Sequence, residues 1–241
     1  MSELGARGRV LAADLSAALG VSPDTIRRDL RELDALGLLR RVHGGALPRG
    51  GDAAPFAVRA RRAPEAKASI ARRAAALISD GEVVILDGGT TNLELARALR
   101  KDLRATVITT SPPVAIELAR HPGLEVSLVG GTLRHDQLVT IGAAAVDALR
   151  PIRADLVFLG VCGLHPEVGV TTEDLEERPT KTAMIDGAAQ VVGLADHDKL
   201  GAVMPVVVAP LSALTTLVTD ADVDDRVLAP YRELGIEVLR A

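Results

Sequence analysis

From Glu65 to the C-terminus, short apolar runs alternate with Ala-rich amphipathic stretches, and that alternation leaves few architectures open. Val83-Val84-Ile85-Leu86 is a continuous apolar tetrad, the mark of a strand buried on both faces. Residues 106–109, 125–129, 155–159, 190–195 and 236–239 also read as strands, and 206–208 and 214–219 as extended segments. Between them, 65–79, 91–99, 113–120, 141–149, 175–188 and 223–234 carry helical patterns. In the first of these, Ile70, Ala74, Leu77 and Ile78 fall on one side. Strands alternating with helices imply a mostly parallel sheet covered on both faces, the α/β class. Apolar residues make up 48% of the 241, yet there are two Phe, one Tyr and no Trp. Aliphatic side chains must therefore fill the core, and the stacking platforms of a single-stranded nucleic-acid binder are lacking.

Residues 1–64 obey a different pattern. Ser22 is placed to cap a helix, Pro23 suits its first turn, Asp24 suits the positive end of its dipole, and Gly37 is a natural stop. Ile26, Leu30, Leu33 and Leu36 form one apolar stripe, with Arg27, Arg28 and Arg31 on the opposite arc. Residues 10–19 read as a shorter helix ended by Gly20. After Gly37, residues 38–42 read as a strand, 43–45 as a turn and 46–47 as a return, a wing carrying Arg40, Arg41 and His43. A charge run alone fits a solvated helix face. A capped basic helix behind a tight Gly turn and ahead of a basic wing fits a winged helix-turn-helix. The expected DNA contacts are Ser22, Asp24, Thr25, Arg27, Arg28, Arg31, Arg40, Arg41 and His43, with Arg best suited to phosphate and guanine.

Charge is divided accordingly. Residues 1–66 hold eleven Arg against eight acids, and the remainder holds seventeen basic residues against twenty-four acids, for −4 overall. A modestly basic end ahead of an acidic body suits double-stranded DNA contact at that end. The excess is small, so a homo-oligomer is expected to share the load. The division expected is a DNA-binding domain over 1–47, a linker over 48–64 and an effector domain over 65–241. Gly50-Gly51 and Pro55 mark the linker, and Arg59, Arg61 and Arg62 read as its solvated hinge.

Ligands of open α/β sheets sit at the carboxyl ends of strands. The first such end is Asp87-Gly88-Gly89-Thr90-Thr91-Asn92. There, glycines admit an anion to the backbone and the next helix points free N–H groups at it. It is neither a Walker loop nor G-x-G-x-x-G. Gly130-Gly131, with Arg134, follows another strand. Gly160-Val161-Cys162-Gly163 follows a third, and Asp196 and Lys199 follow a fourth, while Lys181 lies a few residues beyond Thr171-Thr172. Together these loops describe a site for a small phosphorylated anion. His43, His121, His135, His165 and His197 lack metal-ligand spacing, so neither metal nor cofactor is expected. The single Cys162 excludes an intrachain disulfide and reads as an inert core thiol. Without a signal peptide or a membrane-length apolar run, a soluble cytoplasmic protein with no membrane partner is expected.

Ser-Pro-Asp-Thr-Ile-Arg-Arg-Asp-Leu followed by Leu-Leu-Arg-Arg-Val-His-Gly-Gly-Ala resembles the winged helix-turn-helix of DeoR-type bacterial transcriptional regulators. Asp-Gly-Gly-Thr-Thr, Val-Gly-Gly-Thr-Leu-Arg, Asp-Leu-Val-Phe-Leu-Gly, Lys-Thr-Ala-Met-Ile and Ala-Asp-His-Asp-Lys-Leu-Gly are similar to segments of that family's sensor domain. The resemblance implies a sensor related in fold to ribose-5-phosphate isomerase and glucosamine-6-phosphate deaminase, binding a phosphorylated sugar through Asp87, Gly88, Gly89, Thr90 and Thr91. Gly88 stands where Ser is usual. Pro179, ahead of Lys181, should sit in a first helical turn. The resemblance also implies a helix ahead of Val10, for which Met1 to Gly8, including Gly5 and Gly8, leaves little chain. The function expected is a repressor of a carbohydrate operon, released by a sugar phosphate. The alternative is a sugar-phosphate isomerase or deaminase with an appended helix-turn-helix, with Asp87, Asp196, His197, Asp198 and Lys199 moving protons.

Overall fold

A computed structural model of the chain describes residues 10–35, 39–42, 44–48 and 55–241. In the first part, strand β1 (Val10–Leu11) leads into α1 (Ala12–Leu19), and α2 (Pro23–Ala35) follows across Gly20, which takes the left-handed conformation at φ 66°. The Ser22 hydroxyl accepts the Thr25 N–H at 3.1 Å and so caps α2 as expected. Strands β2 (Leu39–Val42) and β3 (Gly45–Pro48) form the wing. Val10 and Leu11 are strand rather than helix. They pair with Ala46 and Gly45, which turns the two-stranded wing into a three-stranded sheet of order β1-β3-β2. Ile26, Leu30, Val10, Ala12, Leu39 and Ala46 are its buried core, with Leu15 and Leu33 packed against it. Gly37, His43 and the residues before Val10 lie outside the described residues, as does Leu36 of the apolar stripe.

The linker range is not wholly without structure. Phe56–Arg59 forms a one-turn helix, α3, and Phe56 is buried in the core of the following domain. One aromatic ring in a stretch without packing period is enough to anchor it.

The main sheet contains β4 (Val83–Leu86), β5 (Ala105–Thr109), β6 (Leu124–Leu128), β9 (Ala154–Gly160), β12 (Ala188–Leu194), β14 (Thr216–Thr219) and β15 (Glu237–Arg240). Its order is β15-β14-β12-β9-β4-β5-β6, and every pairing is parallel. Helices α4 (Pro64–Ala75), α5 (Thr90–Ala98) and α6 (Pro112–Leu118) carry the apolar side chains of one core. Helices α7 (Ala143–Leu149), α8 (Glu177–Asp186) and α9 (Asp225–Glu233) contribute to the other. Alternation along each central strand divides the side chains between them. Val84, Leu86, Leu156 and Phe158 enter the first core, and Ile85, Val157 and Leu159 the second. This is why the tetrad in β4 is apolar throughout.

Five further strands lie outside the main sheet, and four of them escape sequence reading. A hairpin of β7 (Thr132–Arg134) and β8 (Val139–Ile141) follows β6. Then β10 (Gly163–His165), β11 (Gly169–Thr172) and β13 (Val206–Ala209) make a small antiparallel sheet in which only β13 is anticipated. Among the described residues, no helix is long and apolar enough to cross a membrane.

Phe158 is fully buried in the sheet's middle strands. Phe158→Ala is expected to cost about 3–5 kcal/mol of unfolding free energy through its cavity, measured as a lowered urea midpoint at unchanged slope.

Candidate effector-binding crevice

The chain enters the sheet at β4, runs outward through β5 and β6, then returns to place β9 on the other side of β4. A doubly wound sheet opens a crevice at such a reversal, beyond the carboxyl ends of the two strands. Asp87 follows β4 directly and Gly160 ends β9. The two are joined by the Gly160 N–H, which donates to Asp87 Oδ2 at 3.0 Å, and Gly88 N–H donates to Oδ1 at 2.7 Å. Lys181, from the first half of α8, completes the knot. Its Nζ donates to Asp87 Oδ2 at 2.5 Å and to the Gly160 carbonyl at 2.8 Å. Both side chains of this ion pair are buried, at 10% and 4% exposure. Burial opposes the Lys181 charge, but the Asp87 and Glu177 carboxylates outweigh it and raise its pKa above the ordinary lysine value. Pro179 is the third residue of α8, within the first turn, where its missing N–H costs no helix bond.

Asp87, Gly88, Gly89, Thr90, Thr91, Lys181 and Lys199 all line one cavity at this crevice. Gly89 is the N-cap of α5, so that helix starts at the cavity wall. Sequence reading ended the loop at Asn92 but missed its role: the buried side-chain amide donates to the Gly88 and Phe158 carbonyls at 3.3 Å each. It also missed Gln137 and Glu177, both on the lining. A polar residue one turn into the helix after a Gly-Thr loop was the available signal for Asn92; nothing in sequence marked the other two. Gly88 has a local reason. A Cβ there would overlap Val139 Cγ1, so the branched Val139 methyl takes the space that a Ser side chain would need.

Several expected residues are elsewhere. Gly130 and Gly131 form the turn into β7 and are absent from the lining. Gly131 has φ 138°, and a Cβ would come within 2.6 Å of the Ile141 carbonyl, so it is a turn glycine rather than an anion cradle. Arg134 is also off the lining: it is held by Asp174 and by Asp136 at 3.3 Å, which raise its pKa. Asp196 faces a neighbouring cavity shared with Lys199, Thr90 and Cys162. Thr171 serves structure, donating to the Gly163 carbonyl and accepting the Met204 N–H. Cys162 lines the crevice instead of the core, and burial pushes its thiol up, against the thiolate form. Arg59, read as part of a solvated hinge, also lines the crevice, and its guanidinium donates to Gln137 Oε1 at 2.5 Å. His197 is absent from the lining. It contacts Asp220 at 2.9 Å and Asp198 at 3.3 Å.

On the helix-turn-helix, Arg27, Arg28, Arg31 and Arg41 are exposed, as are Ser22 and Asp24, and Thr25 is half-buried. Arg27 pairs with Asp24 at 2.8 Å and Arg28 lies 3.5 Å from Asp29. Arg31 has no ion pair among the described residues. Arg40 lies in β2, and His43 lies outside the described residues.

Lys181→Met should cost about 3–5 kcal/mol, because it leaves the buried Asp87 carboxylate uncompensated. The double variant Asp87→Asn/Lys181→Met should recover most of that loss in urea unfolding. For His197, the hydrogen bond with Asp220 raises the pKa above 6.5. Its contribution to stability is therefore complete below that value and lost as pH rises through the raised pKa. The melting-temperature gap between wild type and His197→Gln should be larger at pH 5.5 than at pH 8.5.

Residues 1–48 match the DeoR-like helix-turn-helix domain, and residues 62–221 match the DeoR C terminal sensor domain. The chain is 39% identical to the HTH-type transcriptional regulator GlpR of Haloferax volcanii over 227 residues, covering 93% of this chain and 89% of that protein. It is 36% identical to the HTH-type transcriptional repressor GlcR of Bacillus subtilis over 214 residues, with 88% and 82% covered. It is 34% identical to the glycerol-3-phosphate regulon repressor of Escherichia coli over 216 residues, with 89% and 86% covered. With sensor-domain similarity over more than half its length and such relatives along nearly all of it, this chain belongs to the DeoR family of transcriptional regulators.

Proposed function

We propose that this protein is a repressor that binds an operator through its winged helix-turn-helix and leaves it when a phosphorylated sugar or polyol occupies the β4–β9 crevice. One observation carries the effector half: the sheet reverses where Asp87, Gly88, Gly89, Thr90 and Thr91 end β4, with Lys181 and Lys199 on the same lining. A small anion suits glycine backbone, hydroxyls and a helix start better than a large apolar ligand does. Two of the relatives are named repressors, one of them of a glycerol-3-phosphate regulon. That supports both the sense of regulation and the phosphate-ester class.

The DNA half rests on α2. Its capped N-terminus offers Ser22, Asp24 and Thr25, its exposed arc offers Arg27, Arg28 and Arg31, and the wing adds Arg40 and Arg41. Asp24 and Asp29 partly neutralise Arg27 and Arg28 in the free protein, so operator phosphates would displace exposed pairs worth little on their own. The boundaries proposed are a DNA-binding domain to residue 47 and a sensor from residue 65, joined by a segment docked through Phe56. A homo-oligomer would double a modest positive surface and match a two-fold operator.

The test is fluorescence anisotropy with DNA from upstream of the protein's own gene, at several salt concentrations, against triose, hexose and polyol phosphates. Binding that weakens with salt and is abolished by one phosphate ester supports the proposal. Operator binding unaffected by the whole panel would remove the sensing half. Consumption of the ester would return the isomerase or deaminase reading. Arg31→Ala should lower affinity and reduce the slope of log affinity against log salt by about one if it meets a phosphate.

A further inference from the structure

Three cations line the crevice: Arg59, Lys181 and Lys199. Two are already committed. Lys181 Nζ lies 2.5 Å from the Asp87 carboxylate and Lys199 Nζ lies 3.8 Å from that of Asp196. Arg59 has no carboxylate partner among the described residues. Its guanidinium donates to a neutral acceptor, Gln137 Oε1, at 2.5 Å, and its Nε is buried without a hydrogen-bond partner. Its Cζ also lies 5.9 Å over the Phe56 ring, but an arginine partly withdrawn from water, with a neutral acceptor and a ring in place of a carboxylate, and facing a cavity, can still receive an anion. Its planar fork is the geometry that meets a phosphate with two parallel bonds.

The position of Arg59 in the chain gives this site a second consequence. It closes α3, in the stretch between the wing and the sensor domain. Several contacts dock that stretch onto the sensor. Phe56 is buried in the first core and its N–H donates to the Asp136 carbonyl at 2.8 Å. Lys67 Nζ, from α4, donates to the Arg59 carbonyl at 2.5 Å and to the Arg62 carbonyl at 2.6 Å. Asp136 and Gln137 belong to the tip of the β7–β8 hairpin, whose β8 supplies Val139, Thr140 and Ile141 to the crevice wall. One hairpin therefore touches both the crevice and the segment that leads back to the DNA-binding domain.

We infer that Arg59 is the residue that holds the effector's phosphate, and that exchanging Gln137 for phosphate as its partner reports occupancy to the interdomain segment. This inference rests on the crevice being a phosphate-ester site, as proposed above. A ligand shifts a conformational equilibrium only by what it contributes differently to the two states. Here the difference is a charge-assisted bond to phosphate against a bond to a neutral amide. Coupling between such sites is typically about 5–150-fold in affinity.

Wild type, Arg59→Gln and Gln137→Ala are titrated calorimetrically with glycerol 3-phosphate, fructose 6-phosphate and inorganic phosphate, and their operator affinities are measured with and without each compound. For a compound that binds wild type, Arg59→Gln is expected to bind about 10–100-fold more weakly, the loss of one or two charge-assisted hydrogen bonds. Release by that compound should be lost, read as a ratio of operator affinities with and without it that falls to about one. Gln137→Ala, which removes the neutral competitor and keeps the charge, is expected to bind at least as tightly as wild type. If Arg59 only docks the segment, both variants break the same bond and behave alike; equal weakening in the two overturns the inference. Arg59→Gln binding as tightly as wild type also overturns it, while leaving the crevice assignment intact. No heat from any of the three compounds with wild type removes the crevice reading and this inference together.

Discussion

The buried bond between Lys181 and Asp87 is the contact on which the crevice depends. It ties the end of β4 to α8, and through the Gly160 carbonyl it also ties α8 to the end of β9. These are the two neighbouring strands beyond whose carboxyl ends the crevice lies. Without that cross-link, a carboxylate at the mouth of a parallel sheet would face the dipoles of its own loop with no cation beside it. With it, Asp87 accepts the Gly88 and Gly160 N–H groups as well, so the loop is fixed before any ligand arrives. The same contact makes Lys181 a poor candidate for the free charge that seats an anion. A lysine whose ammonium is buried, bonded to a carboxylate and raised in pKa holds the wall in place. A phosphate entering beside it must find its countercharge elsewhere, and the lining offers Arg59.

The two halves of the chain solve the same problem with unequal means. The helix-turn-helix has a small core of Ile26, Leu30, Val10, Ala12, Leu39 and Ala46, and a core this size supplies little surplus over chain entropy. Pairing Val10 and Leu11 with the wing uses the first described residues as a third strand, which adds backbone hydrogen bonds where side-chain burial is scarce. The sensor instead has two aliphatic cores, one on each face of a seven-stranded sheet. Its rigidity permits buried polar groups such as Asn92 and Lys181, because the surrounding strands fix their partners.

The parts visible in sequence are those with a period. The tetrad in β4, the Ile26–Leu30 spacing in α2 and the cap at Ser22 each fall where the pattern puts them, since burial on a regular element repeats at 2 or 3.6 residues. The parts missed have none. β7 is short and largely exposed, and its role is to present a tip rather than to fill a core. Phe56 is a single aromatic residue among Ala, Pro, Val and Arg, so composition reads as linker while one buried ring decides otherwise. Arg134 and Arg59 show the limit most directly. Both are arginines near loops, and sequence favoured Arg134 because it follows Gly130-Gly131 behind a strand. The fold gives Arg134 two carboxylates and leaves Arg59 none among the described residues. Ion-pair partners 40 residues apart, as Arg134 and Asp174 are, have no signature in local spacing.

This distribution of partners also explains why the interdomain stretch, rather than a sensor helix, is suited to carry the signal. Three groups that shape the crevice from the sheet ends are each held by more than one contact: Asp87 by three donors, Asn92 by two carbonyls, Thr140 by the Thr110 and Val129 carbonyls. Moving any of them disrupts the sheet ends and costs stability. The Arg59–Gln137 bond sits between the docked stretch and a hairpin tip, outside both ladders, so it can be exchanged while the sheet stays intact. Linkage then runs both ways. In that coupling, whatever holds the stretch in the arrangement favoured on DNA would weaken effector binding by the same factor with which the effector weakens DNA binding. In the coupling inferred above, the Arg59–Gln137 bond is the contact exchanged, because it joins the docked stretch to the hairpin tip without belonging to either ladder.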